Sequence, residues 1–204
     1  MRIKFPEGDQ LVGETLLQVT AFDDDEKGTP NSAISYRLLN ECPEFSIDET
    51  TGVIKLMKDL DRERQDLYEL FVVAQDHGSP VKLSSTAVVS IVVEDVNDNE
   101  PKFESFGSEK FRLVRLSEDW PVGAVVTQIV ATDDDLGSAG QVRYSLIEGS
   151  RQDFVLDEIS GVLRVRSKLD YEATSIYNIT IRARDLGKPS LFSDTFVIIE
   201  VSCS

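Results

Sequence analysis

An internal repeat constrains the fold of this chain more than any other feature of its sequence. The segment Asp-His-Gly-Ser-Pro at residues 76–80 recurs as Asp-Leu-Gly-Lys-Pro at residues 185–189, 109 positions later. The segment Leu-Asp-Arg-Glu at residues 60–63 recurs as Leu-Asp-Tyr-Glu at residues 169–172, at the same offset. Matches that share one register indicate a duplicated domain. A chain of 204 residues has room for two domains of about 100 residues each.

A run of turn-forming residues separates the two copies. Residues 95–101 read Asp-Val-Asn-Asp-Asn-Glu-Pro, and asparagine, aspartate and proline are typical of the point where a strand ends. We therefore predict one domain over residues 1–98 and a second over residues 99–204, joined by a linker at residues 95–101.

Each copy carries the pattern of short β-strands. Apolar residues alternate with others from Tyr68 to Ala74 and again from Tyr177 to Ala183, which is the period of a strand with one buried face. A glycine precedes each of the short runs Val53–Leu56 and Val162–Val165. About seven such strands with frequent turn residues are typical of a Greek-key sandwich. We predict an all-β chain of two tandem seven-stranded Greek-key β-sandwich domains, placed end to end.

The composition excludes several classes of function. Acidic residues outnumber basic ones by 37 to 21, a net charge of −16, so phosphate-bearing partners such as nucleic acid are repelled. The single histidine and the two distant cysteines provide neither a zinc motif nor a convincing catalytic triad. We predict that the chain is not an enzyme. No apolar run approaches about 18 residues, so we expect membrane attachment only through a transmembrane segment outside this sequence.

Many acidic residues follow or precede the predicted strands instead of lying on strand faces. In a sandwich the loops cluster at two ends, so the acidic loops of both copies are expected to converge on the linker. Carboxylates that close repel one another strongly unless cations lie between them. Ca²⁺, which takes six to eight oxygen ligands, is the usual cation for such a group. The eight carboxylates concerned are Glu7, Asp61, Glu63, Asp95, Asp98, Asp133, Asp135 and Asp185.

These motifs together resemble two extracellular repeats of a cadherin. The resemblance covers essentially the whole chain. Its most specific part is Asp-x-Asn-Asp-Asn-x-Pro at residues 95–101, supported by Asp-Arg-Glu at 61–63 and Asp-x-Asp at 133–135. It implies a rigid rod with three calcium ions at each linker between repeats.

The resemblance also implies which residues hold calcium. Two ions are expected at Glu7, Asp61, Glu63, Asp95, Asp98, Asp135 and the Val96 carbonyl. The third is expected at Asn97, Asn99, Asp133, Asp135 and Asp185. The family completes this third site with an asparagine carbonyl, where this chain has Ala139, so only a backbone oxygen remains available there.

The function implied by the resemblance is calcium-dependent cell–cell adhesion. The segment is expected to lie at the cell surface, in the ectodomain of a single-pass membrane protein. Its expected partners are other cadherin ectodomains and the neighbouring repeats of its own chain. The alternative is a non-adhesive structural spacer within a longer cadherin array.

Further acidic residues predict weaker calcium sites at the two ends. In copy one, Asp23, Asp25 and Asp76, together with Asn31, lack a linker ahead of them, which suggests that another repeat normally precedes. In copy two, Glu118 and the pair at residues 170 and 172 face Cys-Ser at the chain end, where the linker aspartate is missing.

Some single residues carry separate expectations. Asn178-Ile-Thr is an acceptor for N-linked glycosylation, and Asn178 alternates with apolar Tyr177 and Ile179, so we predict that it is exposed and glycosylated. Trp120 is either a lid on its own domain or an exposed contact residue. Asp48, outside every acidic motif, is expected to be an isolated surface carboxylate.

Overall fold

The computed structural model describes residues 1–8, 11–25, 29–104, 111–149 and 152–203. The chain divides into unit 1, Met1–Val96, and unit 2, Asn97–Ser204. The predicted boundary, between residues 98 and 99, lies two residues after this boundary between Val96 and Asn97.

Unit 1 is built from two β-sheets. The seven strands found in the described residues are β1 (Arg2–Pro6), β2 (Thr15–Gln18), β3 (Ile34–Leu38), β4 (Phe45–Ile47), β5 (Val53–Leu56), β6 (Leu67–Asp76) and β7 (Ser84–Glu94). One sheet has the order β1-β7-β6-β3 and the other β2-β5-β4. Neighbouring strands are antiparallel except β1, which runs parallel to β7.

Unit 2 repeats this topology and adds a short strand pair. In the part of this unit that the structure describes, the strands are β8 (Lys102–Phe103), β9 (Phe111–Ser117), β10 (Val125–Gln128), β11 (Ala131–Thr132), β12 (Arg143–Glu148), β13 (Phe154–Leu156), β14 (Val162–Val165), β15 (Ile176–Arg184) and β16 (Phe192–Ser202). Its sheets have the orders β12-β15-β16-β9, β10-β14-β13 and β11-β8, and β9 runs parallel to β16. The all-β prediction is therefore confirmed. The sequence does not predict the two-residue strands β8 and β11, because two residues are too few to show the alternation of buried and exposed side chains.

The core of unit 1 lies between its two sheets. Leu70 and Val72 of β6 are buried, as is the Tyr68 ring before them, and they pack with the fully buried Ile54 and Leu56 of β5. Burial of each such side chain contributes about 1.5–3 kcal/mol. The alternating pattern of β6 thus identifies the core face.

Unit 2 uses equivalent residues. Ile179 and Ile181 of β15 pack with Leu163 of β14, and all three are at most 1% exposed. The buried Tyr144 hydroxyl accepts a hydrogen bond from the Ala131 N–H (2.7 Å), which satisfies the polar end of the ring inside the core.

Trp120 lies at the surface of unit 2. Its side chain is 40% exposed, and the indole N–H donates to the Val125 carbonyl (3.3 Å). This arrangement holds the indole against its own unit.

Asp48 is exposed, as expected for a surface carboxylate, but it also makes local hydrogen bonds. Its Oδ1 accepts hydrogen bonds from the Thr50 and Thr51 N–H groups (3.1 and 2.8 Å) and from the Thr51 hydroxyl (2.8 Å). Asp157 makes the equivalent bonds in unit 2, with Ser160 as the main donor. The backbone hydrogen bonds from Thr51 and Ser160 are the main reason that the pKa of each aspartate is lowered. Both carboxylates therefore organise the turn before β5 or β14.

This hydrogen bonding predicts a stability loss at acid pH. The folded-state pKa of each aspartate lies below its ordinary value of about 3.9, so the stabilisation is complete above that value and is lost as the pH falls through the folded-state pKa. A double variant, Asp48→Asn with Asp157→Asn, lacks these titrations. The melting temperature, followed by circular dichroism from about pH 6 to about pH 2, should therefore fall less steeply in the double variant. Glu69→Gln, an exposed control, should follow the wild-type curve, and parallel curves for all three proteins would contradict the assignment.

Candidate metal centre

Glu7 is the buried anchor of an acidic group in unit 1. It directly follows β1, and its N–H donates to the Glu94 carbonyl (3.2 Å) at the end of β7. Its side chain accepts two backbone hydrogen bonds, from Arg62 to Oε2 (2.8 Å) and from Val96 to Oε1 (2.6 Å). Only 6% of Glu7 is exposed. The paired strands β1 and β7 thus bring Glu7 to the loop of residues 61–63 and to the start of the linker.

Two further carboxylates join Glu7. Glu7, Glu63 and Asp95 each place one carboxylate oxygen within 4.8 Å of the other two. The Arg62 guanidinium, only 11% exposed, pairs with both Glu63 and Asp95. Burial lowers the pKa of Arg62, but the hydrogen bond to Asp95 and the charges of Glu63, Asp95 and Glu7 outweigh this effect and raise it. The group therefore contains a positive charge that the sequence reasoning overlooked, although Arg62 lies between two acidic residues of one motif.

Asp61 has a different position from these three carboxylates. It is exposed, and its Oδ1 accepts a hydrogen bond from the Arg64 N–H (2.9 Å), while its carbonyl accepts from Gln65 (2.9 Å). Asp61 therefore stabilises the turn that carries Arg62 and Glu63. Its carboxylate is not a member of the Glu7–Glu63–Asp95 group.

A second acidic group lies in unit 2, in the loop after β11. Asp133 Oδ1 accepts a hydrogen bond from the Asp135 N–H (3.0 Å). Asp135, 6% exposed, accepts two hydrogen bonds from Asn99, one from its backbone N–H (3.3 Å) and one from its side-chain amide (2.9 Å). The Asn99 amide also donates to Asp98 Oδ1 (3.0 Å). Asn99 thus ties the start of unit 2 to the Asp133–Asp135 loop.

Asp185, which follows β15, completes this second group. It is 1% exposed, and it accepts hydrogen bonds from the N–H groups of Gly187 (3.0 Å) and Leu191 (2.9 Å) and from the Asn97 amide (3.0 Å). Burial raises the pKa of Asp185, but these hydrogen bonds outweigh it and lower the pKa. Asp185 therefore remains a carboxylate inside the protein and orders the loop after β15.

Two oxygen atoms of the second group lack hydrogen-bond donors. Asn97 Oδ1 and Asp133 Oδ2 are buried without a partner in the described part of the chain. Burial is also the main cause that raises the pKa of Asp133, with added repulsion from Asp135, Asp185 and Asp134. Buried acceptors of this kind are costly unless something donates to them or coordinates them. Carboxylate and amide oxygens are ligands that suit Ca²⁺, so these residues fit that ion.

The remaining predicted residues occupy less enclosed or less polar positions. Asp98 is exposed. Ala139 is buried, and its backbone carbonyl is the only oxygen that it can offer to a metal ion.

The Lys102 ammonium, absent from the sequence prediction, donates to Asp134 Oδ2 (2.9 Å), and that hydrogen bond is the main cause that raises the pKa of Lys102.

A third acidic group, in unit 2, resembles the Glu7 group. One oxygen each of Glu118, Asp170 and Glu172 lie within 4.8 Å of one another. Glu118 Oε2 accepts a hydrogen bond from the Tyr171 N–H (3.3 Å), just as Glu7 accepts one from Arg62. The structure thus brings these predicted residues together.

The acidic residues predicted to form a site at the start of copy one correspond only partly to the second acidic group, that of Asp133, Asp135 and Asp185. The Asp25 N–H donates to Asp23 Oδ1 (2.9 Å), and Asp76 is buried, where it accepts hydrogen bonds from Gly78 and Leu83. Asp76 therefore orders its loop as Asp185 does.

Comparison with known proteins identifies the family. The family model of the cadherin domain matches residues 2–94 and 112–202. The chain belongs to the cadherin family. Human Protocadherin Fat 1 is 41% identical over 195 residues, which cover 95% of this chain and 4% of that protein. Human Cadherin EGF LAG seven-pass G-type receptor 3 is 40% identical over 185 residues, covering 90% of this chain and 5% of that protein.

Solved cadherin structures have the same fold. The crystal structure of mouse Cadherin-23 EC22-24 aligns with a TM-score of 0.86 and 28% identity, covering 98% of this chain and 63% of that one. The crystal structure of human Protocadherin-24 EC1-2 aligns with a TM-score of 0.79 and 26% identity, covering 100% of this chain and 94% of that one.

These comparisons confirm the predicted family, the fold class and the absence of enzymatic activity, since cadherin repeats are adhesion and structural domains. Within the described residues, no helix has the length and apolar character needed to cross a membrane. The chain spans about one twentieth or less of the length of the two curated relatives above.

Proposed function

We propose that this pair of cadherin repeats is a calcium-dependent cell–cell adhesion module, an extracellular rod segment that about three calcium ions make rigid at its linker. The observation that carries the proposal is the pair of buried acceptors without donors, Asn97 Oδ1 and Asp133 Oδ2. They belong to a group that also contains the buried carboxylates of Asp135 and Asp185.

The ligands would come from two acidic groups, one in unit 1 and the other in unit 2. The first supplies Glu7, Asp61, Glu63, Asp95 and the Val96 carbonyl. The second supplies Asn97, Asp98, Asn99, Asp133, Asp135, Asp185 and the Ala139 carbonyl. Eight carboxylates carry −8, and three calcium ions would bring +6, with Arg62 contributing one further positive charge. Bound calcium supplies the positive charge and the coordination that these oxygens otherwise lack.

The chain's own residues prepare both groups. The Arg62 and Val96 N–H groups orient the Glu7 carboxylate, and the Asn99 side chain orients Asp135. The two groups are joined by the single peptide bond between Val96 and Asn97. Coordination of residues on both sides of that bond would restrict the linker backbone, which is the physical basis proposed for the stiffening.

The relatives support an extracellular setting. Their names place cadherin domains in protocadherins and in a seven-pass receptor, so we place this segment at the cell surface, in the ectodomain of a membrane protein. The relatives include a seven-pass receptor, so the single-pass expectation remains a prediction. The partners proposed are other cadherin ectodomains and the neighbouring repeats of the same chain.

A structural spacer is the second candidate function. The segment corresponds to only 4% of Protocadherin Fat 1, and in a protein of that length many segments can lie away from any contact with another cell. A spacer would keep the calcium sites but would bind no second ectodomain.

Removal of calcium should change the solution structure of this chain. Calcium sites on extracellular modules have dissociation constants of about 0.1–1 mM, so a few millimolar calcium should fill them, and ligand linkage should raise the melting temperature. Small-angle scattering should then give one narrow distance distribution in calcium and a broader one with chelator. Identical scattering and melting in both conditions would contradict the calcium proposal.

Sedimentation in the same buffers separates the two candidate functions. An adhesion module should form a dimer or a complex with another cadherin ectodomain in calcium and lose it with chelator. A protein that stiffens with calcium but remains monomeric and binds no ectodomain is a spacer.

A further inference from the structure

One face of the larger sheet of unit 2 presents apolar side chains to solvent. On β16, Val197 and Ile199 are fully buried, so the alternate residues Phe196 and Ile198 lie on the opposite face. Leu113 of β9 is paired with Ile198. Phe196 is 54% exposed and Leu113 38%. We call Leu113, Phe196 and Ile198 the outer patch.

Asn178 lies directly beside the outer patch. It is paired with Ile198 across the β15–β16 ladder, so its Cβ lies about 5 Å from that of Ile198, and Phe196 is its diagonal neighbour at about 7–8 Å. The Asn178 side chain is exposed and makes no hydrogen bond to any described residue. Its amide is therefore available on the same face as the apolar side chains.

Asn178 also begins the one Asn-X-Ser/Thr triplet in the whole sequence, Asn178-Ile-Thr. The triplet is the acceptor for N-linked glycosylation, a bulky and solubilising surface modification. A modification that needs an exposed asparagine thus coincides with the edge of an exposed apolar surface.

We propose that Asn178 carries an N-linked oligosaccharide whose first sugars cover the outer patch. In the transfer, Asn178 Nδ2 attacks the anomeric carbon of an oligosaccharide linked to a polyprenyl pyrophosphate. An N–C bond forms, the C–O bond to the pyrophosphate breaks, Nδ2 releases a proton and the lipid pyrophosphate leaves. The proposal rests on the extracellular location proposed above, because this transfer occurs in the secretory pathway.

The attachment point explains why a sugar covers the patch. A contiguous exposed apolar surface usually marks a site of contact. A protein lying flat on β15, β16 and β9 would meet the oligosaccharide that emerges at Asn178. The tethered sugar, by contrast, is held near Ile198 at a high effective concentration, and the C–H face of its ring can displace water from apolar side chains.

The equivalent position of unit 1 supports a link between the sugar and the patch. There, Glu69 of β6 is paired with Ser90 of β7, where unit 2 has Asn178 and Ile198. A charged residue thus faces a polar neighbour in unit 1, whereas the glycosylation acceptor faces an apolar neighbour in unit 2.

Mass spectrometry tests the modification itself. The 204-residue chain, secreted from cultured mammalian cells, should show Asn178 converted to aspartate after treatment with peptide N-glycosidase. Asn178→Gln and Thr180→Ala should lack the sugar, whereas Thr180→Ser, which retains the acceptor triplet, should keep it. An unmodified Asn178 in the secreted wild-type chain would overturn the proposal.

A hydrophobic dye tests whether the sugar covers the patch. Bis-ANS fluorescence should be low for the glycosylated chain and for a form trimmed to its first sugar. It should rise several-fold in Asn178→Gln, and adding Phe196→Ser should abolish that rise. Equal fluorescence in the glycosylated chain and Asn178→Gln would overturn the covering. Calcium affinity measured on the same samples reports separately on the proposed function, since Asn178 is no proposed ligand.

Discussion

Replacing Asp98 with alanine is expected to weaken calcium binding by about 10- to 100-fold, the loss typical when even a supporting residue of a metal site is removed. Asp98 lies in the linker motif, and its carboxylate is exposed. It accepts a hydrogen bond from the neighbouring Asn99 side chain (3.0 Å), a contact at the surface of unit 2, so the fold of that unit should survive the substitution. Isothermal titration calorimetry measures the affinity, and circular dichroism in chelator checks the fold.

Two variants serve as controls for Asp98→Ala. Glu69→Ala removes an exposed carboxylate from β6 and should leave both affinity and stability unchanged. Asp48→Ala removes a turn-organising carboxylate, so it should lower stability without changing affinity. If Asp98→Ala bound calcium as tightly as these controls, Asp98 would not be a ligand.

Replacing Gly161 with alanine is expected to destabilise unit 2 by about 3 kcal/mol or more. Gly161 has φ +67°, and a Cβ there would collide with the Ile129 backbone carbonyl oxygen. The left-handed conformation alone costs a non-glycine residue about 1–2 kcal/mol, and the collision forces a further shift of backbone that is hydrogen-bonded, since the Ile129 N–H donates to the Gly161 carbonyl (3.0 Å). A domain of this size should then lose about 12–24 °C of melting temperature.

Gly123→Ala separates the cost of the left-handed backbone conformation from the cost of the collision with the Ile129 carbonyl. Gly123 also has positive φ (+85°), but no atom lies within 4 Å of the position its Cβ would take. It should therefore cost only the conformational term, about 1–2 kcal/mol. Calorimetry of both variants gives the difference, and equal losses would show that the Ile129 carbonyl moves aside at little cost.

The sequence predicts the fold well where one face of a strand is buried. Burial alternates along β6 from Leu67 to Val72 and along β15 from Ile176 to Ile179, as the sequence pattern predicts. Beyond these positions Val73 and Thr180 are buried as well. Val53–Leu56 and Val162–Val165 are strands with the predicted limits. The short pair β8 and β11 could not be predicted, because two residues cannot display a period.

The candidate site is only partly predictable for a different reason. The acidic residues form contiguous motifs, so their types and order are visible in the sequence. The hydrogen-bond partners of each carboxylate, by contrast, depend on backbone geometry. The spacing of residues in the sequence does not predict that Asp48 or Asp185 accepts hydrogen bonds from several N–H groups. Arg62 was visible within its motif, but its pairing with Asp95 depends on how the loop meets the end of β7.

The last strand of each unit is paired in parallel with an early strand, β1 in unit 1 and β9 in unit 2, and this pairing determines how the unit responds to mechanical force. In unit 1, β1 and β7 pair from Arg2–Ser90 to Pro6–Glu94, and in unit 2, β9 and β16 pair from Phe111–Phe196 to Ser117–Ser202. A pull on the start of the early strand and the end of the last strand drags these two neighbours in opposite directions along their length. The cross-strand hydrogen bonds are then sheared together instead of being unzipped one by one. Each unit is therefore built to resist tension applied through its two ends.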